Sequence, residues 1–189
     1  MNDEARRLTT PLTDEVITAL HVGERVLISG AVYTARDAAH KRLVETLERG
    51  DSLPVSLAGQ IIYYVGPSPT KEGQVIGSAG PTTASRVDPY TPLLLQHGLK
   101  GMIGKGKRNQ AVRDALAEYR AVYFATVGGA AALISQCIKA VEMIAYEDLK
   151  TEAIRKLTVE DFPVVVANDI YGDDLYEQGR LAYQRQGQR

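Results

Sequence analysis

Short apolar runs alternate along this chain with amphipathic stretches, and the joints between them are rich in glycine and proline. Apolar runs of strand length followed by stretches with a 3.6-residue stripe describe an α/β fold, with helices packed on a sheet. Residues 24–32 read as a strand through Val26, Leu27 and Ile28. Residues 34–49 read as a helix: Thr34 is the expected N-cap, Asp37 stands three residues on in a box-like T-x-x-D, Ala39, Leu43, Val44 and Leu47 form the stripe, and Gly50 stops it. Further strands are expected at 60–65, 74–78, 100–104, 121–127, 141–146, 154–159 and 164–167. Further helices are expected around Leu93–Leu95, from 106–109 to about Arg120, and from Gly128-Gly129 through Cys137. A mixed sheet with flanking helices is the expected architecture. Residues 1–23 are expected to pack on the domain or on a partner, 24–171 to form the domain, and 172–189 to be a polar tail.

Composition narrows the function classes. The chain has 189 residues, 44% hydrophobic and 24% charged, enough for one buried core. Lys and Arg number 22 against 23 Asp and Glu, so no global basic field points to nucleic acid. The apolar runs at 130–134 and 163–167 are far too short to span a bilayer, and the first ten residues lack the apolar core of a secretory signal, so the expected location is the cytoplasm, with no membrane partner. One cysteine, Cys137, forms no intrachain disulfide and cannot hold an iron–sulfur cluster, which takes three or four thiolates. The histidines at 21, 40 and 97 show no metal-ligand spacing.

Candidate chemistry gathers at strand-to-helix joints. In Gly30-Ala-Val-Tyr-Thr-Ala-Arg36 a strand delivers the chain to a helix N-terminus, where free N–H groups favour an anion and Arg36 adds a bidentate fork. The alternative is that Arg36 pairs with Asp37 or solvent. In Gly77-Ser-Ala-Gly-Pro-Thr-Thr-Ala-Ser-Arg86, Thr82, Thr83 and Arg86 fall at a helix start with Arg86 one turn on from Thr82, which suits a carboxylate or phosphate; an ordinary capped helix start is the alternative. In Gly104-Lys-Gly-Lys-Arg-Asn109 a strand ends in glycines and cations, with Lys105 and Lys107 both available as point charges; a solvated basic loop is the alternative. Glycines at 128 and 129 suit close backbone packing or approach to a ligand. Arg36, Arg86 and Lys105 would meet where the carboxyl ends of strands gather, and convergent cations suit a small dicarboxylate. Residue chemistry alone reaches an anion site and no reaction.

The runs Tyr33-Thr-Ala-Arg-Asp-Ala-Ala-His-Lys-Arg42 and Gly80-Pro-Thr-Thr-Ala-Ser-Arg86, with Lys105-Gly, Gly128-Gly129 and Glu160-Asp-Phe-Pro163 following in order, resemble the β subunit of class I, iron–sulfur-dependent fumarate hydratases and L-tartrate dehydratases. In single-chain members this is the C-terminal domain. The resemblance implies a swivelling β/β/α domain. It also implies a hydro-lyase site shared with an α subunit that carries a [4Fe–4S] cluster, a C4 dicarboxylate substrate and an α2β2 assembly. Carried over by motif, Arg36, Arg86 and Lys105 match substrate-binding residues, Thr82 matches the proposed catalytic threonine, and Thr83 lies in the same binding motif. A threonine hydroxyl is a weak base unless deprotonated, so an acid or base from the partner is the alternative to Thr82. His40 belongs to the first run, with orienting its helix the expected role. Fumarate hydration to L-malate is the first reading. Tartrate dehydration to oxaloacetate and a non-catalytic anion-binding module are the alternatives.

Overall fold

The structure, a computed structural model, describes residues 5–126 and 131–186. The strands are β1 (Arg6–Thr9), β2 (Arg25–Thr34), β3 (Ile61–Tyr63), β4 (Gly101–Gly104), β5 (Val122–Ala125), β6 (Ile138–Ala145) and β7 (Ile154–Asn168). The helices are α1 (Asp14–Thr18), α2 (Asp37–Glu48), α3 (Thr91–Gln96), α4 (Gln110–Glu118), α5 (Ala131–Gln136) and α6 (Leu175–Gln186), with 3-10 turns at Ala84–Val87 and Glu147–Glu152. The expected joint at Gly128-Gly129 lies outside the described residues.

The sheet is mixed. β2, β3, β4 and β5 run parallel, with Thr34 opposite Tyr63, Tyr63 opposite Ile103, and Gly104 opposite Ala125. β7 runs antiparallel to both β2 and β5, so these strands close on themselves in a barrel-like ring. β1 extends the first half of β2, and β6 pairs with the first half of β7. The mixed sheet with flanking helices expected from the sequence is what forms.

Side-chain alternation sorts the core into two faces. Ile61, Tyr63, Val65, Ile103, Val122 and Phe124 share one apolar cluster with Val26, Ile28, Val32, Leu157 and Phe162. The intervening Ile62, Tyr64, Met102 and Tyr123 pack in the other, with Ala39 and Leu43 of α2, Leu94 and Leu95 of α3, and Val112 and Leu116 of α4. Leu8, Leu12, Ile17 and Leu20 of the N-terminal segment are buried in the first cluster, so this segment packs on the domain.

Several local expectations change. The two strands expected at 154–159 and 164–167 are one strand, β7, that passes through a bulge. Ile28 faces Phe162 while Gly30 faces Val159, and Asp161 takes a left-handed φ of 49° and donates its N–H to Ser29 Oγ at 3.0 Å. The polar Glu160-Asp161 step and Pro163 read as a break because a bulge and a strand end share that composition. Residues 74–78 form no strand: Ile76 is buried, Val75 is half exposed, and the loop is held by the Ser68 N–H to Ser78 carbonyl bond of 3.1 Å. Thr34 does not cap α2. It ends β2, and its buried hydroxyl donates to the Ala153 carbonyl and accepts from the Arg155 N–H, both at 3.0 Å. Arg36 occupies the N-cap position instead, with no side-chain capping bond.

Candidate functional site

The carboxyl ends of β2, β3 and β4 lie side by side, and β2 and β4 pass directly into segments carrying a candidate residue. β2 leads to Arg36. β3 leads through Tyr64 and Val65 to Gly66. β4 leads to Lys105. The Gly80–Arg86 motif is laid across these ends by main-chain bonds: Thr82 N–H to the Tyr64 carbonyl at 2.8 Å, Lys105 N–H to the Thr82 carbonyl at 3.2 Å, and Ala84 N–H to the Lys105 carbonyl at 2.9 Å. Val65 bridges Pro81 antiparallel and Thr83 bridges Lys105 in parallel. Thr82, Thr83 and Lys105 are thereby brought together, with Arg86 one turn along the Ala84–Val87 segment. Lys107 lies farther on, beyond Gly106 at φ +84°.

The charges at this end of the sheet are unevenly compensated. Lys105 and Arg86 are exposed, and neither has an ion pair or hydrogen bond from its side chain among the described residues. Arg36 is only 22% exposed and has carboxylates nearby, Asp37 at 3.9 Å from Nε and Glu152 at 3.7 Å from Nη2. Both distances are ion-pair contacts too long for hydrogen bonds. Its buried Nε has no hydrogen-bond partner. The expected pairing of Arg36 with Asp37 is thus present, though loose. The Arg36 guanidinium rests on Gly66, where an added Cβ would come within 2.6 Å of Nη1.

The Thr82 hydroxyl donates to the Tyr64 carbonyl at 3.0 Å. A hydroxyl in that bond keeps its lone pairs for another donor and its proton on oxygen. His40 is fully buried. Its Nδ1 lies 2.9 Å from the Arg36 carbonyl, which can only accept, so Nδ1 carries a proton. Burial lowers the His40 pKa to about 4. The ring meets Tyr64 edge-on, with centroids 5.3 Å apart, and its Nε2 has no partner. It therefore anchors the first turn of α2 from beneath.

Sequence reasoning placed Arg108 in a solvated basic loop. It is buried, and it organises the floor of the site. Its Nε donates to Asp88 at 2.7 Å, Nη1 to Tyr64 Oη at 2.9 Å, and Nη2 to Thr91 Oγ1 at 2.6 Å. Burial opposes its charge, but Tyr64, Asp88 and Tyr123 outweigh that and raise its pKa. Asp88 also accepts the Asn109 N–H at 2.9 Å, and Asn109 caps α4 through the Val112 N–H. Tyr123 Oη donates to the Gly106 carbonyl at 2.9 Å. The Lys105 turn and the Arg86 turn are thus tied to one buried ion pair. The Asp88 partner two residues after Arg86 was the available signal, but a charge in a basic run reads as solvated until its partner is placed.

The family model described as the Fumarase C-terminus matches residues 2–179. The chain is 39% identical over 175 residues to a protein of Salmonella typhimurium named "Fumarate hydratase class I, aerobic", covering 90% of this chain and 30% of that one. It is 42% identical over 159 residues to an Escherichia coli protein named "Fumarate hydratase class I, anaerobic", covering 83% and 29%. It is 35% identical over 173 residues to a Methanocaldococcus jannaschii protein named "Putative L(+)-tartrate dehydratase subunit beta", covering 88% and 89%. The chain therefore spans about 30% of the fumarate hydratases it matches and nearly all of the tartrate dehydratase subunit.

Proposed function

Because the chain belongs to the fumarase C-terminus family, we propose that it is the β part of a hydro-lyase that reversibly hydrates fumarate to L-malate at a site completed by an iron–sulfur α subunit. What supports this reading is that main-chain bonds lay the Thr82 segment against Lys105 at the ends of adjacent strands, with Lys105 and Arg86 lacking side-chain partners among the described residues and Arg36 held short of hydrogen bonding. Cations at the ends of adjacent strands suit a dicarboxylate, and guanidinium forks take carboxylates in a bidentate way.

Adding water to fumarate places hydroxide on one carbon and a proton on its neighbour. In both directions negative charge builds on the carboxylate next to the carbon that exchanges the proton, and fixed cations lower the barrier by meeting that charge. Lys105 and Arg86 take this role, and Arg36 orients the other carboxylate. In hydration Thr82 Oγ gives its proton to carbon. In dehydration Oγ must first be deprotonated, which the neighbouring cations favour. The bond from the Thr82 hydroxyl to Tyr64 supports the partner as an alternative source of the base.

The family's [4Fe–4S] cluster does not fit the residues of this chain. Cys137 is the single cysteine, and among the described residues no group of three His, Cys, Asp or Glu side chains is placed to hold a metal ion. In this reading the α subunit carries the cluster, in an α2β2 assembly located in the cytoplasm. No described helix is long and apolar enough to cross a membrane.

Tartrate dehydration is the second reading, favoured by the match along nearly the whole of a protein named as a tartrate dehydratase subunit. Anaerobic assays of fumarate and L-tartrate, with this chain alone and with its cluster-loaded partner, test both. Fumarate turnover in the mixture alone is the expected result. Turnover of tartrate with fumarate untouched selects the second reading. An intact complex inactive on both overturns the hydro-lyase assignment.

A further inference from the structure

We propose that Glu152 is the positioning residue for Arg36, holding its guanidinium ready for a substrate carboxylate without consuming its hydrogen-bond donors. The proposal rests on the dicarboxylate reading of the site. Glu152 uses its two oxygens differently. Oε2 accepts the Ala38 N–H at 2.8 Å, satisfying a free donor in the first turn of α2. Oε1 faces Arg36 Nη2 at 3.7 Å, attractive but beyond hydrogen-bond length. The Gly66 main chain lies against Nη1 and the Asp37 carboxylate lies 3.9 Å from Nε, so the guanidinium is flanked by two carboxylates and a bare stretch of main chain. No side-chain hydrogen bond is made by Arg36 among the described residues; its Nε is buried, which leaves the Nη donors for an incoming carboxylate.

The segment bearing Glu152 is itself fastened. Thr34, two residues before Arg36, grips Ala153 and Arg155 through its buried hydroxyl. Arg42 of α2 forms a bidentate pair with Asp148, both bonds 2.8 Å, and stacks over Tyr146 at 4.8 Å. The turn between them includes Lys150 at φ 54° and ψ −109°, a strained conformation for a residue with a side chain. Strain persists where surrounding contacts over-determine it, and here those contacts aim Glu152 at Arg36 and the α2 N-terminus.

The test joins a kinetic cycle to a spectroscopic readout. In the assembled enzyme Glu152→Ala raises KM for the C4 dicarboxylate about fivefold, the scale of a partly buried ion pair, with a smaller change in kcat. Glu152→Gln, whose amide oxygen still accepts from Ala38, recovers part of the loss. In an Arg36→Ala background Glu152→Ala has no further effect on KM. Additive losses in that background overturn the proposal. Independently, the Nε–H resonance of Arg36, assigned by its disappearance in Arg36→Ala, is dispersed in the wild-type chain and collapses toward the free-arginine position in Glu152→Ala. Its persistence there also overturns the proposal. A collapsed resonance with KM insensitive to Arg36→Ala instead overturns the dicarboxylate reading while the positioning contact stands.

Discussion

Thr82 and His40 sit within the same end of the sheet, and their protons are held by main-chain carbonyls: Thr82 by Tyr64 and His40 by the residue that precedes α2. Thr82 is only partly buried, whereas His40 is fully buried. Thr82→Ala is expected to lower kcat of the assembled enzyme about 100-fold, the usual contribution of a positioned proton donor, while KM changes far less. Thr82→Ser keeps the hydroxyl and retains part of the rate. A defect confined to KM removes Thr82 from proton transfer. His40 belongs to stability. Its pKa is near 4 in the folded state against 6.5 when exposed, so the unfolded chain binds the extra proton. The contribution is intact above pH 6.5 and is lost as pH falls toward 4, by about 3 kcal/mol over that window. His40→Asn, which can still donate to the Arg36 carbonyl, is expected to flatten this part of the stability-against-pH curve in denaturant titrations. An unchanged slope assigns acid sensitivity to other groups.

Among the elements, the joint between β4 and α4 shows how a turn is held in register for function. Arg108 and Asp88 have side-chain exposures of 0% and 4%, so removing one leaves a buried charge without its partner. Arg108→Ala is expected to destabilise the chain by about 3–5 kcal/mol, read by denaturant unfolding, and Arg108→Lys recovers little because an ammonium cannot reproduce the fork to Asp88, Tyr64 and Thr91. A loss below 1 kcal/mol places the pair outside the folded core. This joint also marks what could be read from the sequence. The strands at β2, β3, β4 and β5 were legible because apolar runs of the right length end at glycines or helix caps. The candidate residues Arg36, Thr82 and Lys105 stand out in the sequence because they sit at those joints. Glu152 and the bonds made by the Thr34 hydroxyl do not show in the sequence, since each acts through a partner far along the chain: Thr34 and Ala153 are 119 residues apart. Periodicity reports local conformation and says nothing of which turn is folded against which helix.

For the whole molecule the decisive feature is that one strand, β7, borders both β2 and β5. It closes the ring and serves both apolar clusters, with Leu157 and Phe162 in one and Ile154 and Ala167 in the other. Amide hydrogens of β2 and β7 are therefore expected to exchange only through global unfolding, whereas those of the exposed stretch 68–75 exchange by local opening. Equal exchange rates in the two regions, measured by mass spectrometry, contradict this. In the sequence β7 reads as two pieces because its bulge borrows the composition of a turn, and that reading hides the closed ring.

The same pairing dictates an order of events during synthesis. β2 emerges early and its antiparallel partner late, and contacts so distant along the chain form slowly. A nascent chain that has reached β5 already holds the parallel strands, yet both flanks of that half-built sheet offer unpaired N–H and C=O groups. The interval between making β2 and making β7 is thus when the flanks of β2 and β5 stand open to copies of this protein, and the last strand to arrive is the one that covers both.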